Sequence, residues 1–175
     1  RFGKLEYGEN PIVDTLFNIS AKTPKLERVV EMYEWVEDST ENDKKVTYTY
    51  SKEWSQKIID SSNFNTTNGH ENPTSMPYEG ISLVVEDSLK VGEFVLIDSF
   101  KDQISATEDY KDFTNAILAE GYTINNNYIT NSIDPANPQI GDVRISYKVA
   151  QYDNVSILGK QIDNTVGAYD TKTNT

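Results

Sequence analysis

The chain has 175 residues, 28 of them acidic and 16 basic, for a net charge of −12, with one histidine and no cysteine. That length suits one domain and buries about 70% of the surface its unfolded chain exposes, so no crosslink is needed to hold it together. The absent cysteines exclude disulfides, Cys-bound zinc and thiol catalysis, and the acidic surface disfavours nucleic acid and anionic lipid as direct partners.

The hydrophobic fraction is 37% and the charged fraction 25%, as in a globular domain. No apolar run approaches the roughly 18–20 residues that cross a bilayer. The chain therefore reads as a single soluble domain over 1–175, with 1–24 an irregular arm and 170–175 a loose polar tail. Within the arm Leu16, Phe17 and Ile19 are candidates to tuck onto the core. Arg1 is not a start residue, so the chain is expected to belong to a longer one.

Arg28–Glu37 is rich in β-branched and aromatic residues and predicts a strand. Lys45–Tyr50 alternates strictly and predicts a half-buried strand, antiparallel to the first across a polar loop over Asp38–Lys44 of about seven residues. Ser51 is a good N-cap for a helix through Asp60, with Trp54, Ile58 and Ile59 on one side. A long polar loop over Ser61–Glu79 carries Gly69, His70, Pro73 and Pro77. Strands are predicted at Ile81–Glu86 and Val91–Leu96, then helical spacing over Ile97–Ile104. A second helix is predicted at Asp109–Glu120, stopped by Gly121. Short strands follow near Tyr122–Ile124 and Tyr128–Ile129. Val143–Val149 alternates cleanly, with Asn154–Gln161 as its expected antiparallel partner. The resulting class is α+β: a mostly antiparallel sheet with two or three short helices.

The chemistry-bearing residues are few. A lone His70 without cysteine cannot make a usual zinc site, and no Gly-x-Ser-x-Gly elbow offers it a nucleophile. Asp38–Asp43 has oxygen ligands but lacks the central glycine and closing glutamate of a calcium loop, so it reads as a solvated turn. With 28 acids no carboxylate pair can be singled out for hydrolysis. No catalytic residue, metal or cofactor is assigned, and the chain is read as a non-enzyme.

Four stretches, in order, resemble the transmembrane protein 43 family, also called LUMA: Arg28–Trp35, Tyr48–Ser55 running on to Ile59–Phe64, Gly69–Pro73 and Pro138–Ser146. The resemblance implies a multi-pass membrane protein with a large hydrophilic domain between its first membrane helix and a later cluster. That domain would face the extracytoplasmic side: the lumen of the endoplasmic reticulum and nuclear envelope in animals, the periplasm or exterior in bacteria. The animal proteins are linked to lamins, emerin and membrane organisation. The composition here is nearer a bacterial member.

The family brings no catalytic residues to carry over. Read physically, Tyr33, Trp35, Tyr48, Tyr50 and Trp54 are expected to pack as a hairpin-on-helix core. The candidate binding loop is His70, Glu71 and Asn72 where it meets Asp142 and Arg144. The expected function is a non-enzymatic extramembrane scaffold that organises protein partners, self-association among them, and binds no nucleic acid. The alternatives are a small-molecule or glycan-binding module and a carboxylate-dependent hydrolase.

Overall fold

A computed structural model describes residues 2–3, 5–96 and 98–150, with the short pieces 155–156, 161–162 and 165–166. In chain order the strands are β1 (Phe2–Gly3), β2 (Leu5–Glu6), β3 (Ile12–Asp14), β4 (Ile19–Ala21), β5 (Lys25–Asn42), β6 (Lys45–Ser55), β7 (Ile81–Val84) and β8 (Leu89–Val91). They continue as β9 (Phe94–Leu96), β10 (Glu108–Tyr110), β11 (Thr123–Asn125), β12 (Tyr128–Thr130), β13 (Val143–Val149), β14 (Val155–Ser156), β15 (Gln161–Ile162) and β16 (Thr165–Val166). The only helical pieces among the described residues are short 3-10 turns at Ser61–Asn63 and Asp98–Gln103. The expected α+β class is therefore wrong, and the regular structure is almost wholly β.

Each misread helix has a local cause. Ser51–Ser55 stays in β6 because Trp54 lies opposite Tyr33, and their rings meet at 5.2 Å. An aromatic cross-strand pair of this kind outweighs weak local helix spacing. Around Asp109–Glu120, β10 takes the first residues. The Asp112 carboxylate then accepts from the Thr114 N–H at 3.1 Å, a local turn that competes with helix. The 97–104 spacing survives only as the 3-10 turn at Asp98–Gln103.

The hairpin of β5 and β6 is longer and its turn tighter than expected. The ladder runs from Met32 opposite Ser55 to Asn42 opposite Lys45, leaving a two-residue turn at Asp43 and Lys44 with φ of 50° and 64°. Two left-handed residues suit the twist of the strands they join. Asn126 and Asn127 (φ 46° and 66°) make the same turn between β11 and β12.

The chain forms two compact units. One comprises Arg1–Arg28, Ser82–Ile117 and Tyr147–Thr175. Its sheet has the order β15-β16-β9-β8-β2, and β3 and β4 form a separate hairpin where an irregular arm was expected. Leu5, Phe17, Ile19, Leu26, Leu89 and Val91 are buried, whereas Leu16 is exposed. The expected pairing of Asn154–Gln161 with β13 does not form within the described residues: β14 pairs with β1, and β10 lies against the end of β13. The tail 170–175 lies outside the described residues.

Inside this unit sits a buried charge. Asp14 accepts from Arg28 Nη1 at 2.8 and 2.9 Å and from the Tyr147 hydroxyl at 2.7 Å. The carboxylate also takes the Leu16 N–H at 3.2 Å, so one group ties the β3–β4 turn to strands β5 and β13. Burial, then the adjacent carboxylate, pushes the Tyr147 phenol well above its ordinary range, which keeps it a donor.

The second unit comprises Val29–Ile81 and Leu118–Ser146, with strand order β11-β12-β13-β5-β6. Alternation in β13 is complete: Val143 and Ile145 are buried and Arg144 and Ser146 are not. They meet Val30 and Met32 of β5 and Ile129 of β12 as the buried apolar residues of this sheet.

Removing one member of a buried charge cluster costs about 3–5 kcal/mol, so Asp14→Ala is expected to lose that much stability in urea unfolding. Tyr147→Phe, which deletes one hydrogen bond to a charged acceptor, is expected to lose about 1.5–3 kcal/mol.

Candidate functional site

The site begins at an interruption in the sheet. Beside Tyr33 the edge of β5 is satisfied by backbone: Tyr33 N–H donates to Asp142 O at 2.8 Å and Gly141 N–H to Tyr33 O at 2.9 Å. Gly141 holds φ at +94°, and the Asp142 carboxylate accepts from Gln139 N–H at 2.9 Å to close the turn. A side chain at 141 would stand 3.4 Å from the ring of Pro73, so the end of the Gly69–Pro73 loop approaches the turn before β13 at that one residue.

Two residues along β5 a side chain takes over from backbone. Asn72 Oδ1 accepts from Trp35 N–H at 2.7 Å, and Nδ2 donates to Trp35 O at 2.9 Å and Ile59 O at 3.2 Å. The primary amide thus offers the donor and acceptor that a neighbouring strand would have offered. Asn72 N–H donates to Ser61 Oγ at 2.9 Å, fixing the loop behind it.

Glu34, fully buried on β5, grips the same segment through Ile59 N–H at 3.0 Å. Its Oε2 has no hydrogen-bond partner among the described residues. Burial raises its pKa, opposed by the hydrogen bond from the Ile59 N–H; the Ser55 hydroxyl proton is spent on Lys57 O at 2.8 Å.

His70 is held rather than presented. Its ring stacks on Tyr50 at 3.8 Å, meets Trp35 edge-on at 4.8 Å, and places Nδ1 3.0 Å from Thr66 O. Tyr50 donates to Glu37 at 2.7 Å, and the N–H groups of Asn65 and Thr66 donate to Glu37 and to the Tyr50 hydroxyl at 2.6 and 2.8 Å. Glu71 is exposed and accepts from Gly69 N–H at 3.1 Å. The loop is therefore sewn onto the β5–β6 hairpin by His70, Asn72 and the Tyr50–Glu37 pair.

Arg144 joins a different cluster. Its guanidinium lies 4.3 Å from the Trp54 ring and 4.4 Å from that of Tyr128, and Nε donates to Glu31 at 3.0 Å. The aromatic set does not pack onto a helix as expected, since β6 runs where that helix was placed. Tyr33, Trp35, Tyr50 and Trp54 are only half-buried, and Tyr48 is exposed.

Several participants were not singled out from the sequence. Glu34 carried a signal, because it continues the inward alternation of Val30 and Met32 and a charge there marks a buried acid. Tyr128, Glu31 and Ser132 had none strong enough to select them.

Fold and site together define an all-β module whose loop is fastened to a sheet edge by side chains, beside a stacked aromatic–arginine face. The chain belongs to the transmembrane protein 43 family: residues 32–175 match the family described as Transmembrane protein 43. It is 31% identical to the Transmembrane protein 43 homolog of Drosophila melanogaster, over 97% of this chain and 47% of that protein. It is 27% identical to Transmembrane protein 43 of Rattus norvegicus, over 91% of this chain and 44% of that protein. For the Homo sapiens protein the figures are 28%, 78% and 36%. The chain thus spans about half or less of these relatives. No solved structure matches it. The family is one of membrane proteins, although no helix among the described residues is long and apolar enough to cross a membrane.

Asn72→Ala is expected to destabilise the chain by about 2–4 kcal/mol in urea unfolding, because it leaves the Trp35 peptide and Ile59 carbonyl without their partner. For Glu34 the folded-state pKa is raised, so the folded chain binds its proton more tightly and Glu34 lowers stability as pH rises through that pKa. Relative to the parent, Glu34→Gln should gain stability as pH rises above its ordinary value of 4.5 and then level off. A flat difference across a pH series of urea melts would contradict this.

Proposed function

We propose that this chain is a non-enzymatic interaction domain of a membrane protein, on its extracytoplasmic side, that organises protein partners through the open edge of β6. The observation that carries the reading is this edge. β6 has 11 residues, ends its sheet, and has no strand on its outer side among the described residues. Asp38–Asn42 of β5 and Lys45–Thr49 of β6 are exposed throughout, so the hairpin end is a two-stranded ribbon with water on both faces. Such ribbons are marginal alone and gain from a third strand.

The residues of β6 complement themselves. A second copy laid antiparallel with Thr49 at the centre sets Lys45 opposite Glu53, Tyr48 opposite Tyr50 and Thr47 opposite Ser51. No like charges meet in that register, whereas the lysines disfavour promiscuous pairing.

Lys45→Glu and Glu53→Lys, made singly, are each expected to weaken self-association about two- to thirtyfold in analytical ultracentrifugation. The double swap is expected to restore it. A parent that stays monomeric at every accessible concentration, or a double variant as weak as the singles, would contradict the proposal.

A further inference from the structure

In the second unit, Trp54, Asn125, Asn126, Tyr128, Ser132 and Arg144 border a cavity of about 120 Å³. Among the described residues its lining contains no aspartate or glutamate, in a chain with 28 acids. The larger cavity of about 960 Å³ in the first unit is different: Glu6, Glu9 and Asp87 line it together with Lys22 and Lys90. The small cavity is rich in donors instead: a guanidinium, two side-chain amides and hydroxyls.

Its central group is fixed in place. With Trp54 at 4.3 Å and Tyr128 at 4.4 Å, the Arg144 plane cannot tilt freely. Nε is held by Glu31 at 3.0 Å, while the two Nη nitrogens donate to no acceptor among the described residues. Ser132 is 6% exposed, and its hydroxyl has no hydrogen-bond partner among the described residues. An arginine held in one plane with its terminal donors unused is pre-organised for a planar, two-oxygen acceptor.

We propose that this cavity binds the carboxylate group of a compact ligand, with Arg144 as the reading residue. Two parallel N–H···O bonds run from Nη1 and Nη2 to the two carboxylate oxygens, and the Ser132 hydroxyl supplies a further donor. Glu31 already offsets part of the arginine charge, which suits a monoanion better than a doubly charged phosphate. The volume fits the carboxylate with a few attached atoms. A small organic acid and the C-terminus of a peptide present the same group.

The test is a titration of the 175-residue chain at constant ionic strength, followed by the NMR signals of the Arg144 Nε–H and the Ser132 and Asn126 amides. The probes are acetate, benzoate, a short peptide with a free C-terminus, the same peptide amidated, and inorganic phosphate. Saturable shifts with acetate or benzoate assign a small-acid ligand. Shifts with the free but not the amidated peptide assign a chain terminus. Either result supports the site. Arg144→Gln and Arg144→Lys are each expected to weaken binding tenfold or more, and Ser132→Ala several-fold. Ser132→Ala decides the matter if the arginine variants do not fold. Phosphate binding more tightly than any carboxylate, equal binding of acid and amide, no saturable shift with any probe, or affinity unchanged in the variants would overturn the proposal.

Discussion

The backbone N–H and C=O of one residue, Trp35, set the arrangement of the second unit. Along β5, strand β13 gives way beside Tyr33 to the Gly141–Asp142 turn, and beyond it the hairpin would carry bare N–H and C=O groups into a partly buried setting. An unsatisfied buried peptide is expensive. Asn72 meets that demand at Trp35 with a single amide, binding both the N–H and the C=O. Because the same amide holds Ile59, which Glu34 grips from the other side, the chain leaving β6 and the loop returning to it are fixed at one point.

The rest follows from that anchorage. With the loop tied at Asn72, His70 lies flat on Tyr50, and Glu37 and the Tyr50 hydroxyl collect the loop amides. The side chains of Trp35 and Tyr50 are covered by the loop, while those of Trp54 and Tyr128 enclose Arg144. One sheet face thus carries both a fastened loop and an arginine stack. Beyond the loop, the β5–β6 ribbon stands in solvent. The first unit uses a different device, a carboxylate at Asp14 shared by Arg28 and Tyr147.

Much of the strand pattern was legible. The alternation of Val143–Val149 gave β13 with its buried face, because both of its sides differ in environment. The end of the hairpin was not legible for the converse reason: Asp38–Asn42 is exposed on both faces, so no apolar alternation marks it and its polar residues read as loop. The helix placed on Ser51–Asp60 failed because Trp54 answers to Tyr33 across the hairpin, a contact that spacing within the segment cannot reveal. At the candidate site, the His70 loop was expected to meet Asp142 and Arg144; Pro73 approaches Gly141, and Arg144 lies with Trp54 and Tyr128. Asn72 stood before Pro73, a position held extended, but nothing local says that its amide replaces a strand.

In this unit a side chain protects the Trp35 N–H as a strand would. Amide hydrogen exchange at Trp35 in the parent chain tests it directly. Protection comparable to that of Tyr33, whose N–H is held by backbone at 2.8 Å, is expected. Exchange at Trp35 as fast as at the solvent-exposed ribbon residues, with Tyr33 still protected, would contradict it.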